Sequence, residues 1–174
     1  MPGFDRVLER LAELERDAPR LREAQAQSLS EPATGMAVAF DIGNPLDIHP
    51  RNKQDVGRRL ALLALARTYA RSLDCEGPTL SRVAIEGDRV TIHFAHAAGL
   101  CTRNGARAVL GFALAGDDRQ YHSARAHIEG DTVVVSSPLV LAPRTVRYGW
   151  ADHTDTNLVN AARLPAVSFR TDGY

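Results

Sequence analysis

Two carboxylates and one imidazole fall between an apolar run and a helical stretch in DIGNPLDIHPRNKQDVGRRLAL, Asp41 to Leu62. A histidine held by a carboxylate in a loop after a strand is the base half of a nucleophilic triad. The acid fixes the imidazole tautomer and stabilises the imidazolium that forms. Asp47 and His49 stand two residues apart. In a loop, both side chains can reach one pocket, whereas in a straight strand that spacing merely puts them on one face. Asp41, where the apolar run ends, is the alternative acid. The same residues also have a plainer use, which is to cap the following helix and anchor its turn.

The elements that must position them are legible from the hydrophobic period. MAVAFDI reads as a short buried strand ending at Asp41, and GNP as a loop. Pro50 suits a first helical turn, which would put His49 at or near the N-cap. From Arg51 to about Leu73, the apolar residues Val56, Leu60, Leu63 and Tyr69 fall near one face of a long helix. Upstream, Phe4, Val7, Leu8, Leu11 and Leu14 mark an amphipathic helix ending near Pro19, and LREAQAQSL reads as a second, short helical piece. From Gly77 onward the period changes to two. SRVAIEGDRVTIHFAH and SARAHIEGDTVVVSS each set alternating strands around Glu-Gly-Asp, a hairpin with glycine at positive φ. With VLGFALAG, RTVRYGWA and PAVSFRTD added, five to seven short strands between Pro78 and Tyr174 suggest a small sandwich.

Composition narrows the function classes. Lys plus Arg and Asp plus Glu number 21 each, so no global field recruits nucleic acid or an anionic membrane. The first twenty residues are charged throughout and lack the apolar core of a signal peptide, and no run has the length of a membrane span, so the chain reads as soluble. Cys75 and Cys101 lack CxxC spacing; they read as isolated structural thiols, with a single bridge between them as the alternative. His93, His96, His122 and His127 raise the question of zinc, but strand alternation points His93 and His96 to opposite faces, and surface histidines are the expectation. Tyr148 and Trp150 share a strand face as a candidate sugar platform, although a domain of this size tends to bury its only Trp. Asp152, Asn157, Asn160 and Arg170 could line a cleft or simply serve loop and edge hydrogen bonding.

The segments LREAQ, TGMAVAFDIGNPLDIHPRNKQDVGRRLAL, EGDTVVVSSP, VRYGWAD and LPAVSFRTD resemble the C-terminal part of sialate O-acetylesterases, of the SGNH-type esterase superfamily. That resemblance runs from about Leu21 to Asp172 and is most specific in the DIHP stretch. It implies removal of acetyl groups from sugar hydroxyls by a serine nucleophile, with histidine as base and an aspartate to orient it. It needs no metal or organic cofactor. His49 is the matching histidine. Many such esterases place the acid three residues earlier, where this chain has Leu46, so the acid is Asp47 or Asp41, with Asp47 preferred.

The family's nucleophile and oxyanion donors lie upstream of the matched region, in a Gly-x-Ser-Asn type setting. Ser28, Ser30, Ser72, Ser81, Ser123, Ser136, Ser137 and Ser168 all lack that context. Triad members act as a unit, so a base without its nucleophile leaves little catalysis. The expectation is an α+β chain. Residues 1–76 form a helical start plus the C-terminal remnant of an α/β SGNH-type hydrolase domain, and residues 77–174 a β-sandwich. The expected partners are an O-acetylated sugar and an N-terminal esterase half or a second copy. The alternative function is a noncatalytic carbohydrate-binding or assembly module in which His49 is a relic.

Overall fold

The computed structural model describes residues 18–47, 49 and 51–173. The expected helix through Phe4–Leu14, and Pro50, lie outside the described residues. The fold is mixed α+β, with two α-helices among the described residues, α1 over 18–27 and α2 over Lys53–Leu63, and several antiparallel sheets.

The two hairpins form where glycine permits the turn. Thr79–Glu86 (β1) pairs with Arg89–Ala95 (β2), Glu86 facing Arg89, with Gly87 at φ 62. Arg125–Glu129 (β7) pairs with Thr132–Ser136 (β8), Glu129 facing Thr132, with Gly130 at φ 60. Glycine in the first place of a two-residue loop is the type II′ signature, whose twist matches that of the strands. The other strands are Cys101–Thr102 (β3), Ala108–Val109 (β4), Phe112–Ala115 (β5), His122–Ser123 (β6), Thr145–Tyr148 (β9), Leu158–Val159 (β10) and Phe169–Arg170 (β11). Among the described residues, eleven strands replace the five to seven expected because several are two-residue pieces between turns. VLGFALAG, read as one strand, divides at Gly111, whose φ of 96 turns the chain. A Cβ there would lie 2.8 Å from Thr156 Cγ2.

One sheet runs β1-β2-β8-β7-β4, another β11-β9-β5-β6, and β10 pairs with β3. Val90, Ile92, Val133 and Val135 from the first share one buried cluster with Phe112, Leu114, Val146, Tyr148 and Phe169 from the second. Phe169, Tyr148 and Phe112 face one another across β11, β9 and β5, with Phe112 and Tyr148 rings 4.7 Å apart. Phe94 of the other sheet meets Phe169 edge-on at 6.1 Å, an arrangement aromatic quadrupoles favour. Burial pushes the Tyr148 phenol far above its ordinary range.

Upstream, the expected strand MAVAFDI is not one. Residues 36–39 have no ladder partner, and Phe40–Ile42 closes a 3-10 turn. A strand needs a neighbour for its peptide groups, and here a side chain substitutes: Arg59 Nη1 donates to the Val38 carbonyl. The long helix also differs from expectation. It is α-helical only over Lys53–Leu63, then loosens into a π-turn at Ala64–Thr68, and Ala70 reverses the chain at φ 50. Its buried face carries Arg59 and Leu63, whereas Leu60 and Tyr69, assigned to that face by period, are 51% and 69% exposed.

The reason is Asp41. Its side chain is 1% exposed and receives both Nη1 and Nη2 of Arg59, at 2.6 and 2.8 Å. Arg103, after β3, adds Nη2 to Asp41 Oδ2 at 3.2 Å and Nη1 to the Asp41 carbonyl at 3.1 Å. Arg103 Nη2 also reaches the Thr156 carbonyl at 3.1 Å. One buried carboxylate thus ties residues 36–42 to α2 and to the β-rich part. α1 docks separately: Arg22 Nη2 donates to the Gly149 and Ala151 carbonyls at 2.9 and 2.6 Å, and Glu23 pairs with Arg170 at 3.0 Å.

Removing one partner of a buried pair leaves the other charge uncompensated. Asp41→Ala is therefore expected to cost about 3–5 kcal/mol in urea denaturation, with Asp41→Ala/Arg59→Met recovering part of that loss. A second carboxylate makes stability depend on pH. Burial alone would raise Asp172, but bonds from Arg147 (Nε 3.0 Å, Nη2 2.5 Å) and Tyr121 (2.8 Å) outweigh it and hold the carboxyl at about 2. A folded value below the unfolded one stabilises above the unfolded pKa and is lost as pH falls. The contribution, about 2 kcal/mol at neutral pH, is expected to fade between about pH 5 and pH 2. Asp172→Asn should remove that part of the acid-unfolding slope in denaturation followed at several pH values.

Candidate functional site

The segment carrying Asp47 and His49 is a surface loop between the Phe40–Ile42 turn and α2, and its geometry is local. Asn44 starts it, its Oδ1 accepting from the Leu46 amide at 3.0 Å and its carbonyl from the Asp47 amide at 3.2 Å. Asp47 Oδ1 then accepts from the backbone N–H of His49 at 2.8 Å. Two Asx turns in succession, each a short side chain bonding the backbone two residues on, shape the described part of the loop. They place Asp47 and His49 in one exposed turn, with the Asp47 carboxylate bonded to the backbone of His49. Leu46, between the two turns, is 94% exposed.

Neither Asp47 nor His49 caps the helix. The N-cap is Asn52, three residues further on: its Oδ1 accepts from the Asp55 amide at 3.1 Å and its Nδ2 donates to Asp55 Oδ2 at 2.8 Å, a reciprocal capping arrangement. The bond from the Asn52 amide is the largest cause holding the Asp55 carboxyl below its usual range. Asp41 is engaged by Arg59 and Arg103, and the contact between Asp47 and His49 runs from the carboxylate to the backbone N–H of His49.

α2 presents an unusual outer surface. Gly57, Leu60, Ala61, Ala64 and Leu65 recur at helical spacing and are all exposed, whereas the inward side holds the charged Arg59. Beside the exposed charges of Lys53 and Arg58, this exposed apolar stripe is a surface suited to being covered.

The remaining sequence candidates separate. His93 Nε2 lies 2.9 Å from Arg82 Nη2, His96 lies 3.4 Å from Glu76, His127 lies 2.8 Å from Glu129, and His122 sits in β6. Among the described residues, no three His, Cys, Asp or Glu side chains are grouped to hold a metal ion. Cys75 and Cys101 are both free thiols. Among the described residues, no helix is long and apolar enough to cross a membrane. Asn157 and Asn160 are buried backbone anchors: Asn157 accepts from the Leu110 amide and donates to the Ala108 carbonyl, and Asn160 ties Leu164 to Glu76 and His96. Arg170 pairs with Glu23 and Asp172, and Asp152 lies in the electrostatic field of Arg22. Tyr148 and Trp150 do not share a face: Tyr148 is core, and Trp150 is half-buried, with the guanidinium groups of Arg170 and Arg147 at 5.2 and 5.9 Å from its ring.

Sequence reasoning missed the pairing residues. Only the position of Arg59 one turn before Leu63, on the face that packs inward, marks it as buried. Arg103 and Tyr121 carry no local pattern at all, because their partners are 62 and 51 residues away.

No family model matches the chain, and no curated protein matches it. Among solved structures it is similar to one described as a novel carbohydrate acetylesterase from Xanthomonas citri. The two agree at a TM-score of 0.85 and 46% identity over 90% of this chain. This chain spans 36% of the length of that protein. The likeness supports kinship with carbohydrate esterases.

Proposed function

We propose that this chain acts as the C-terminal part of a carbohydrate O-acetylesterase. The 46% identity to a carbohydrate acetylesterase carries this reading, and the resemblance to sialate O-acetylesterases of the SGNH type supplies the roles. His49 is the general base. It takes the proton from a serine hydroxyl as the oxygen attacks the acetyl carbonyl, then returns it to the departing sugar oxygen. Water, deprotonated by the same imidazole, cleaves the acetyl-serine and releases acetate. Asp47 orients the ring, a role supported by its position in the same turn and by the engagement of Asp41 with Arg59 and Arg103. No step requires a metal or organic cofactor.

The serine and the oxyanion donors belong to a hydrolase portion supplied by other sequence. Three observations support this: the neighbour is the longer protein, the outer face of α2 is apolar, and Leu46 projects almost fully beside His49. In this reading residues 18–76 complete the hydrolase, and residues 77–173 form a sandwich attached to it.

The test is hydrolysis of a chromogenic acetyl ester by the chain alone and by the chain mixed with the remaining portion of the Xanthomonas citri enzyme. Turnover in the mixture only is expected, falling by on the order of 10³-fold or more with His49→Ala. Asp47→Asn should lower kcat more than Asp41→Asn does after correction for the folded fraction. Sugar binding without turnover in the mixture would instead favour a noncatalytic carbohydrate-binding module.

A further inference from the structure

A groove of about 360 Å³ opens beside Trp150, on the four-stranded sheet. Leu110, Phe112 and Trp150 give it an apolar wall, and Tyr121, Ser123 and Thr154 add hydroxyl-bearing side chains. The volume falls in the range of small-molecule sites, and the mixture of an aromatic wall with a few polar groups is their usual chemistry. Leu110 is 42% exposed at its rim.

Two features separate this groove from an incidental dent. The first is rigidity. The Gly149 amide donates to the Gly111 carbonyl at 2.9 Å, and Arg22 holds the carbonyls of Gly149 and Ala151 from α1, so both sides of the groove are fixed before any ligand arrives. Phe40, next to Asp41, packs against Gly149, linking this wall to the segment that leads into the Asp47–His49 loop. The second is charge. Arg147 is the charged residue among those lining the groove, and its Nε and Nη2 both bond Asp172. Its guanidinium also lies 3.7 Å from the Tyr121 ring centroid. The cation nearest Trp150, Arg170, is matched by Glu23. A sugar carboxylate would have to compete with Asp172 for Arg147, whereas a sugar with only hydroxyls and C–H faces fits a charge-balanced, aromatic-walled groove.

We infer that the groove beside Trp150 is a glycan subsite that takes a neutral sugar residue of the substrate chain, not an acidic sugar such as a sialate. The inference rests on the esterase reading for its choice of a carbohydrate ligand and narrows the substrate class.

The single Trp reports on it directly. Titrating the chain with a neutral O-acetylated xylo-oligosaccharide, its deacetylated form and O-acetylated N-acetylneuraminic acid is expected to give saturable Trp fluorescence changes with both neutral ligands. These should be little affected by salt, and binding of the acidic sugar should be at least about tenfold weaker. Leu110→Arg at the exposed rim should weaken neutral-sugar binding about tenfold or more with an unchanged circular dichroism spectrum. Trp150→Phe, read by calorimetry, should do the same. Absence of saturable binding, tighter and salt-sensitive binding of the acidic sugar, or indifference to Leu110→Arg would each overturn the subsite. Turnover of acetyl esters in the mixture with the hydrolase portion, without groove binding, would overturn the subsite alone. Neutral-sugar binding without any turnover would leave the subsite standing and overturn the esterase reading.

Discussion

One buried carboxylate organises the junction on which everything upstream of the sheets depends. Asp41 draws Arg59 inward from α2 and Arg103 outward from the loop after β3, and its own backbone carbonyl accepts from Arg103 as well. An ion pair with a side chain 1% exposed has a high desolvation cost and is tolerated only with near-ideal geometry and further hydrogen bonds. The two parallel Arg59 contacts supply the geometry, and Arg103 on Asp41 and the Val38 carbonyl on Arg59 supply further hydrogen bonds. The consequence is geometric: with Arg59 facing inward, the helix must turn its Leu60, Ala61, Ala64 and Leu65 side to the exterior. The apolar outer face and the buried charge are two results of one choice.

The same junction directs the Asp47–His49 loop. Residues 36–42 are fixed at their end by Asp41 and at Phe40 by Gly149, and α2 is fixed at Arg59, so the loop between them is anchored on both sides while its tip stays exposed. A histidine on an anchored, projecting turn has the placement that the proposed role of general base requires. The β-rich part then serves as more than a support. Its aromatic row, Phe169, Tyr148 and Phe112, holds three strands in register, and the next residues along the chain, Gly149 to Ala151, form the wall of the Trp150 groove. In this account a glycan held beside Trp150 is oriented by the same rigid elements that fix the base.

The hairpins were legible because their information is local. Glu-Gly-Asp between alternating strands specifies both turn and register, and the structure has Glu86 facing Arg89 and Glu129 facing Thr132. The short helix at LREAQAQSL was equally readable. What sequence could not show was any element defined by a distant partner. MAVAFDI has the composition of a strand, but among the described residues no strand lies beside it, and a side chain from α2 takes one of its carbonyls. The face of α2 was misassigned for a related reason: hydrophobic period finds the apolar stripe and cannot tell whether the stripe meets this chain or another. Asp47 and His49 were singled out by residue type and resemblance alone. The residues that engage Asp41, Arg59 and Arg103, lie 18 and 62 residues away from it, beyond the reach of any local pattern.

The central claim is that His49 activates a serine it does not share a chain segment with. The most direct measurement is the rate at which a fluorophosphonate, which labels only an activated serine, modifies the hydrolase portion of the Xanthomonas citri enzyme in the presence of this chain. The account predicts labelling that depends on added chain and falls by on the order of 10³-fold with His49→Ala while binding between the two pieces is retained. Labelling at the same rate with His49→Ala, or without the chain, would contradict it.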